Sequence, residues 1–212
     1  YLRIMRNVVT GDLGRSIVTR ERVLTEIKNR LPVTLKLAVL AMAFSTVVGV
    51  GVGVIAALNQ NRFLDRFLMF VTLTGISVPV FWYALIAILL VIFKLRWVPQ
   101  TGIGDGSLQF YLLPAFVLGT RAAAFIARIT RSNMLEVIRQ DFIRTAHAKG
   151  LPERTVTVKH ALRNILIPVV TVIGLDLASF IDGAFLTEYV FNIPGMGRYG
   201  LGALLDRDLP VM

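Results

Sequence analysis

The sequence predicts an all-α protein, a polytopic bundle of transmembrane helices, and three observations carry the prediction. Of 212 residues, 55% are apolar and only 17% charged, with a mean hydropathy of +0.69, which points to lipid rather than water as the solvent. Several apolar runs reach the roughly 20 residues needed to cross a hydrocarbon core about 30 Å thick. Most of the basic residues lie outside those runs, as in segments that lie beside anionic headgroups.

The same composition excludes whole classes of function. There is no cysteine, so disulfides, thiol catalysis and Cys-ligated metals are ruled out. The two histidines, His147 and His160, have no carboxylates grouped beside them, and no metal site is expected. A net charge of +10 fits basic loops at a membrane surface better than nucleic acid in so apolar a chain. No nucleophile–base constellation is evident, so the chain is not expected to be an enzyme.

Residues 1–32 read as a polar, basic arm, with a turn at Gly11–Ser16 and a short amphipathic helix over Glu21–Arg30. The first span is expected over 33–58, with Pro32 suited to its first turn. Within it Ala41, Ser45, Gly49, Gly53 and Ala57 recur every four residues. Such a stripe lets a second helix approach closely, although tolerance of small residues in lipid gives the same pattern. Asn59–Arg66 forms a polar loop, and the second span covers 67–93 with Pro79 near its middle. That proline removes a backbone donor and kinks or breaks the helix, leaving Ser77 or a neighbouring helix to satisfy the freed groups. Trp82 and Tyr83 sit too deep for an interfacial belt, which Trp97 fits.

The third span, 112–129, carries Arg121 near its centre, and the fourth, 165–187, carries Asp176 and Asp182. Charges are costly in lipid and should face protein or water. On a helix Asp176, Ser179 and Gly183 share roughly one face, with Asp182 at its shoulder. Ser77, Pro79, Arg121, Asp176, Ser179 and Asp182 are therefore candidates for a polar pathway through the bundle. The competing reading is an Arg121–Asp pair that only stabilises the helices.

Alternation puts the Asn59–Arg66 loop and the stretch 130–164 on one side, and the arm, the 95–111 loop and the tail 188–212 on the other. The 130–164 stretch holds seven Lys and Arg and belongs in the cytoplasm by the positive-inside rule. The arm also holds seven. The conflict resolves if a further helix precedes Tyr1 and anchors the arm outside, as is expected here.

Within the cytoplasmic stretch, Asp141–Pro168 reads as two short helices hinged at Gly150-Leu151-Pro152. Leu135, Ile138, Phe142 and Ala146 share one face, Gly150 permits a C-terminal stop, and Pro152 with Glu153 suits a new first turn. A docking knuckle for a soluble partner, an interfacial helix on headgroups and a plain connector all fit this pattern.

The motifs RTAHAKG and HALRNILIP, with GISVPVFW before them and EYVFNIPGMGR after, resemble the membrane subunits of dipeptide and oligopeptide ABC importers, the binding-protein-dependent transport permeases. The family's Glu-Ala-Ala opening is replaced by Arg144, Thr145 and Ala146. Gly150 is retained, and the hydrophobic-Pro pair falls late, at Ile167-Pro168, a departure expected of the peptide branch. The resemblance implies a type I importer permease of about six helices, of which this sequence would lack the first and last. It implies a coupling helix, in which Phe142, Thr145, Ala146, Lys149, Gly150 and Leu151 sit in an ATPase groove while Glu153–Pro168 transmits the motion.

The implied partners are a second homologous permease, two cytoplasmic ATPases, an extracytoplasmic binding protein, membrane lipid and a peptide substrate. ATP and magnesium would belong to the ATPases, since no Gly-rich Lys-Ser/Thr phosphate loop occurs here, and this chain would hold no cofactor. Asn192, Pro194, Gly195 and Gly197 would meet the binding protein or form a gate, against a turn that only packs. The location implied is a bacterial or archaeal cytoplasmic (inner) membrane, crossed several times. Glutathione, nickel and haem are alternative cargoes within the branch. From the residues alone, a secondary transporter or channel using Asp176 and Asp182 stays open.

Overall fold

Helix α1 spans Val23–Leu58 in a computed structural model that describes residues 13–98, 102 and 106–212, except the side chains of residues 181 and 182. The expected arm helix and first span are thus one helix, and Pro32 lies inside it instead of opening it. The missing proline N–H leaves the Lys28 carbonyl without its helical donor. The turns ahead of the proline are nevertheless held by buried Val23 and by an Arg30–Glu26 ion pair one turn apart, at 2.6 Å.

Helix α2, Phe63–Ser77, stops at Val78, whose backbone is extended, and α3 starts afresh at Val80, running to Ala87 and on through a π-helical turn, Ile88–Lys94. Pro79 therefore breaks the helix. The Ser77 hydroxyl donates to the Leu73 carbonyl at 2.8 Å, within its own helix, and so does not serve the break.

Helix α4, Gln109–Ile138, overruns the expected span 112–129 at both ends. Helix α5 follows, Asp141–Ala148. The single turn α6, Glu153–Thr155, then continues through a π-helical segment, Val156–Leu162, into α7, Arg163–Val190. This corrects the expected pair of short helices: only the first is separate, and the second is the leading end of a membrane helix, with Pro168 inside it. A π turn adds a residue to the helical repeat and lets the chain stay helical across a change of register. Helix α8, Met196–Leu205, closes the described order. By length and composition α1, α4 and Glu153–Phe180 can each cross a membrane, and α2 with α3 makes a fourth crossing if the bent pair counts as one span.

The chain divides into two compact units. In the unit formed by residues 41–79 and 116–180, the small-residue stripe of α1 lies directly on α4. A Cβ on Gly49 would stand 2.8 Å from the Ala123 carbonyl, one on Gly53 2.6 Å from that of Ala127, and one on Gly119 2.7 Å from that of Ala41. The stripe is a contact surface, and its small residues allow backbone against backbone. Below it, Ala57, Ile126, Met134, Ile143, Ala146, Val156, Ala161, Ile165 and Val169 form one buried cluster, so α5 is packed against α4 and the start of α7.

The other unit comprises residues 1–40, 80–115 and 181–212. Here the turn after Gly14 is tied to the end of the chain. Asp208, 3% exposed, accepts from the Ser16 hydroxyl and from the Ile17 and Val18 amides. Burial works to raise the pKa of its carboxyl, but those hydrogen bonds outweigh it and hold the group below the usual aspartate value. The folded pKa is depressed, so this tie contributes fully above the ordinary aspartate value and is lost as pH falls from there through the lower folded value.

Candidate functional site

Helix α5 is the most clearly built of the expected sites. Ile143 and Ala146 are buried, at 1% and 4% exposure, whereas Phe142, Thr145 and Lys149 are exposed. Positions 142, 145 and 149 fall at helical spacings of three and four, so one face grips the core and the other is free. The helix ends in a Schellman motif: the Leu151 amide donates to the Ala146 carbonyl at 3.3 Å and the Gly150 amide to the His147 carbonyl at 2.9 Å. Gly150 takes the left-handed position this requires, φ +74°. His147 and Glu153 face each other across the break at 3.0 Å. Beside α5 lies an open pocket of about 290 Å³ lined by Ile138, Arg139, Gln140, Ile143, Arg144 and His147. Of the six residues expected to meet an ATPase, Phe142, Thr145, Lys149 and Gly150 are exposed, Leu151 is half-buried and Ala146 faces inward.

The pathway candidates are less uniform. Arg121, Ser179, Ser77 and Pro79 are exposed, and Asp176 is half-buried. One Asp176 oxygen, Oδ2, is buried and has no hydrogen-bond partner. Arg121 acts on Asp176 electrostatically, but among the described residues the two do not come within 4.0 Å, and no ion pair forms. The Asp182 side chain lies outside the described residues.

The segment Glu188–Arg198 folds around a carboxylate. Helix α7 ends in a second Schellman motif, with Ile193 N–H to Glu188 O at 2.8 Å, Asn192 N–H to Tyr189 O at 3.2 Å, and Asn192 at φ +57°. Asparagine tolerates that left-handed conformation better than most residues. The chain then turns so that Gly195 caps α8. A Cβ on Gly195 would collide with the Glu188 carboxylate, and one on Gly197 with the Phe185 backbone. Asn192 is exposed and Pro194 half-buried, while Gly195 and Gly197 are buried. The two glycines are thus packing positions, and the accessible part of the turn is Asn192 with Pro194.

The family model for the binding-protein-dependent transport system inner membrane component matches residues 49–212. The chain belongs to that family. The permease is 42% identical over 238 aligned positions to the di/tripeptide transport system permease protein DppB of Pseudomonas aeruginosa (strain UCBPP-PA14), covering all of this chain and 71% of that relative. It is 41% identical over 212 residues to the glutathione transport system permease protein GsiC of Escherichia coli (strain K12), covering all of this chain and 69% of the relative. Among solved structures, an inward-facing MetNI methionine ABC transporter superposes with a TM-score of 0.69 over 84% of this chain and 79% of that one. At 20% identity that likeness speaks for the fold alone. The permease fold is that of a type I importer subunit.

Three polar ties in the permease escaped the sequence reading. Asp65 of α2, 3% exposed, accepts from Arg131 Nε at 2.6 Å, from Arg131 Nη2 at 2.7 Å and from the Asn61 amide at 2.9 Å. Arg131 is one of the seven basic residues of the stretch 130–164, and no local pattern marks it as the partner of Asp65. Asp208 sits in the tail with its partners 190 residues and more away in sequence. Glu188 opens the EYVFNIPGMGR motif, where a carboxylate seven residues before Gly195 was the available signal.

Proposed function

We propose that this permease forms part of the translocation pathway of an ATP-driven importer for di- and oligopeptides, worked through α5. The observation that carries the reading is the division of α5. Its inner face is locked into the cluster that includes Ile165 and Val169 of α7, so a push on Phe142, Thr145 and Lys149 reaches a membrane helix through close packing. In this reading two cytoplasmic ATPases hold ATP and magnesium, and an external binding protein delivers cargo. A second permease covers the apolar surface of Glu153–Phe180, whose apolar 18-residue stretch is only 17% buried within this chain. The names of the relatives, di/tripeptide and glutathione permeases, support short peptides as cargo. The unpartnered Asp176 oxygen suits a peptide ammonium, and exposed Arg121 suits a carboxylate.

The test is reconstitution of the whole transporter in vesicles. Phe142→Ala is expected to lower ATP-driven peptide uptake tenfold or more, because an aromatic anchor at a partner interface typically contributes about 2 kcal/mol. The subunit should still fold, since Phe142 is 43% exposed. Ala146→Glu is a poor probe by comparison, because that side chain faces the core. Gly150→Val has no steric obstacle but forces a β-branched residue to φ +74°, at about 1–2 kcal/mol, and should uncouple ATP hydrolysis from uptake. Uptake that proceeds without ATP, or is indifferent to Phe142→Ala, would sink the proposal in favour of a self-contained carrier.

At the pathway, Asp176→Asn is expected to raise the external peptide concentration for half-maximal uptake about tenfold, as a hydrogen bond to a charged group contributes roughly 1.5–3 kcal/mol. Binding-protein-stimulated ATP hydrolysis should persist. An unchanged concentration dependence would remove Asp176 from the pathway.

A further inference from the structure

We infer that Glu188 is a positioning residue: its buried carboxylate latches the turn 191–198 to α1 and to the end of α7, so that the turn moves with these helices as one body. Glu188 is 0% exposed, a burial that a glutamate reaches only with partners. Its partners form a directional chain. The Met196 amide donates to Thr34 Oγ1 at 2.8 Å, and the Thr34 hydroxyl, its oxygen thus occupied as an acceptor, donates to Glu188 Oε1 at 2.6 Å. The Arg198 amide donates to Glu188 Oε2 at 3.1 Å, and the Gly197 amide also bonds this carboxylate.

The first three amides of α8, which no intrahelical carbonyl can satisfy, therefore end on one side chain, two directly and one through Thr34. Each hydrogen-bond partner of the carboxylate is a donor, and it lies at the positive end of the α8 dipole. Burial pushes its pKa up against these donors, and its two acceptor oxygens fit a site where the NH2 of an amide would not. Gly195 cannot cap the helix with a side chain of its own, and any side chain there would displace the carboxylate. The Glu188 backbone carbonyl accepts from the Ile193 amide, so both ends of the 188–198 loop close on Glu188. Thr34 adds α1. A change in α7 or α1 is thereby carried to Asn192 and Pro194 without slack.

The functional consequence rests on the reading of this chain as an importer permease whose exposed turn meets the binding protein. The experiment uses the assembled transporter in lipid nanodiscs with two readouts. Glu188→Gln keeps the shape but sets an NH2 donor against backbone donors. It is expected to speed amide hydrogen exchange across 195–199 at least tenfold. It should also raise the binding-protein concentration for half-maximal ATPase stimulation about tenfold, with the maximal stimulated rate within about twofold of the parent.

Thr34→Val should reproduce both shifts, and Thr34→Ser, which retains the hydroxyl, should restore both. This pair carries the test if Glu188→Gln fails to assemble. Exchange that stays slow in both Glu188→Gln and Thr34→Val overturns the latch. Faster exchange with an unchanged half-saturation overturns its role in transport, as does a fall in maximal rate that merely tracks lost assembly. A parent transporter that no binding protein stimulates counts against the importer reading instead, and the exchange rates then decide the latch alone.

Discussion

Gly53→Leu is expected to prevent recovery of folded permease from the membrane, and Gly53→Ala to destabilise it strongly. A Cβ at this position would stand 2.6 Å from both the Ala127 carbonyl oxygen and the Thr130 Cβ. One neighbour is backbone and the other is the branch point of a side chain, so neither can turn away. Relief requires α1 and α4 to separate over the stripe from Ala41 to Ala57, which forfeits dispersion contacts along the helix pair. Overpacking of this kind costs about 1–3 kcal/mol for one added methyl group, and more for a larger side chain.

Gly51→Ala is the internal control. It lies half a turn away on the same helix and meets nothing within 4 Å. The gain in helix propensity of about 1 kcal/mol over glycine should leave it neutral or slightly stabilised. Unfolding of the purified subunit in mixed micelles, compared across the three variants, checks the contrast. Equal behaviour of Gly51→Ala and Gly53→Ala would show that the stripe is not a close contact.

The second large effect is expected at Arg131. Its guanidinium takes both oxygens of Asp65 in a fork, with the carboxylate at 4% side-chain exposure. Arg131→Met leaves that carboxylate buried with the Asn61 amide as its remaining hydrogen-bond donor and the Arg66 charge acting on it from a distance. The loss should be about 3–5 kcal/mol, the cost of an uncompensated buried charge. Asp65→Leu combined with Arg131→Met removes both charges and should recover most of it, since a buried pair replaced by apolar groups is often nearly neutral. A double-mutant cycle on unfolding free energy in micelles reads the coupling directly. Losses that simply add, with no recovery in the double variant, would mean that the two side chains do not act as a pair.

Much of helix α5 was legible because its signals are local. The spacing of apolar residues from Leu135 to Ala146 places a buried face on a helix, and Gly150 followed by Leu151 and Pro152 stops it, as the Schellman hydrogen bonds at Ala146 and His147 show. The candidate pathway side chains were legible as types, since an aspartate in an apolar run stands out. Whether Asp176 paired with Arg121 depended on a distance that no spacing encodes.

Sequence by itself determined the solvent, the approximate place of the long apolar helices α1 and α4, the small-residue stripe and the stop at Gly150. Each follows from composition or from a period of a few residues, which the chain carries within a single turn or span. Only the tertiary structure decided that Pro32 and Pro168 lie inside continuous helices, because neighbouring turns and packing offset a missing donor. It also decided that Pro79 breaks its helix, and that Asp65, Glu188 and Asp208 are buried hubs whose partners lie 66, 154 and 191 residues distant. Burial of a carboxylate is tolerable only where donors converge on it, and that convergence exists only once the chain has folded.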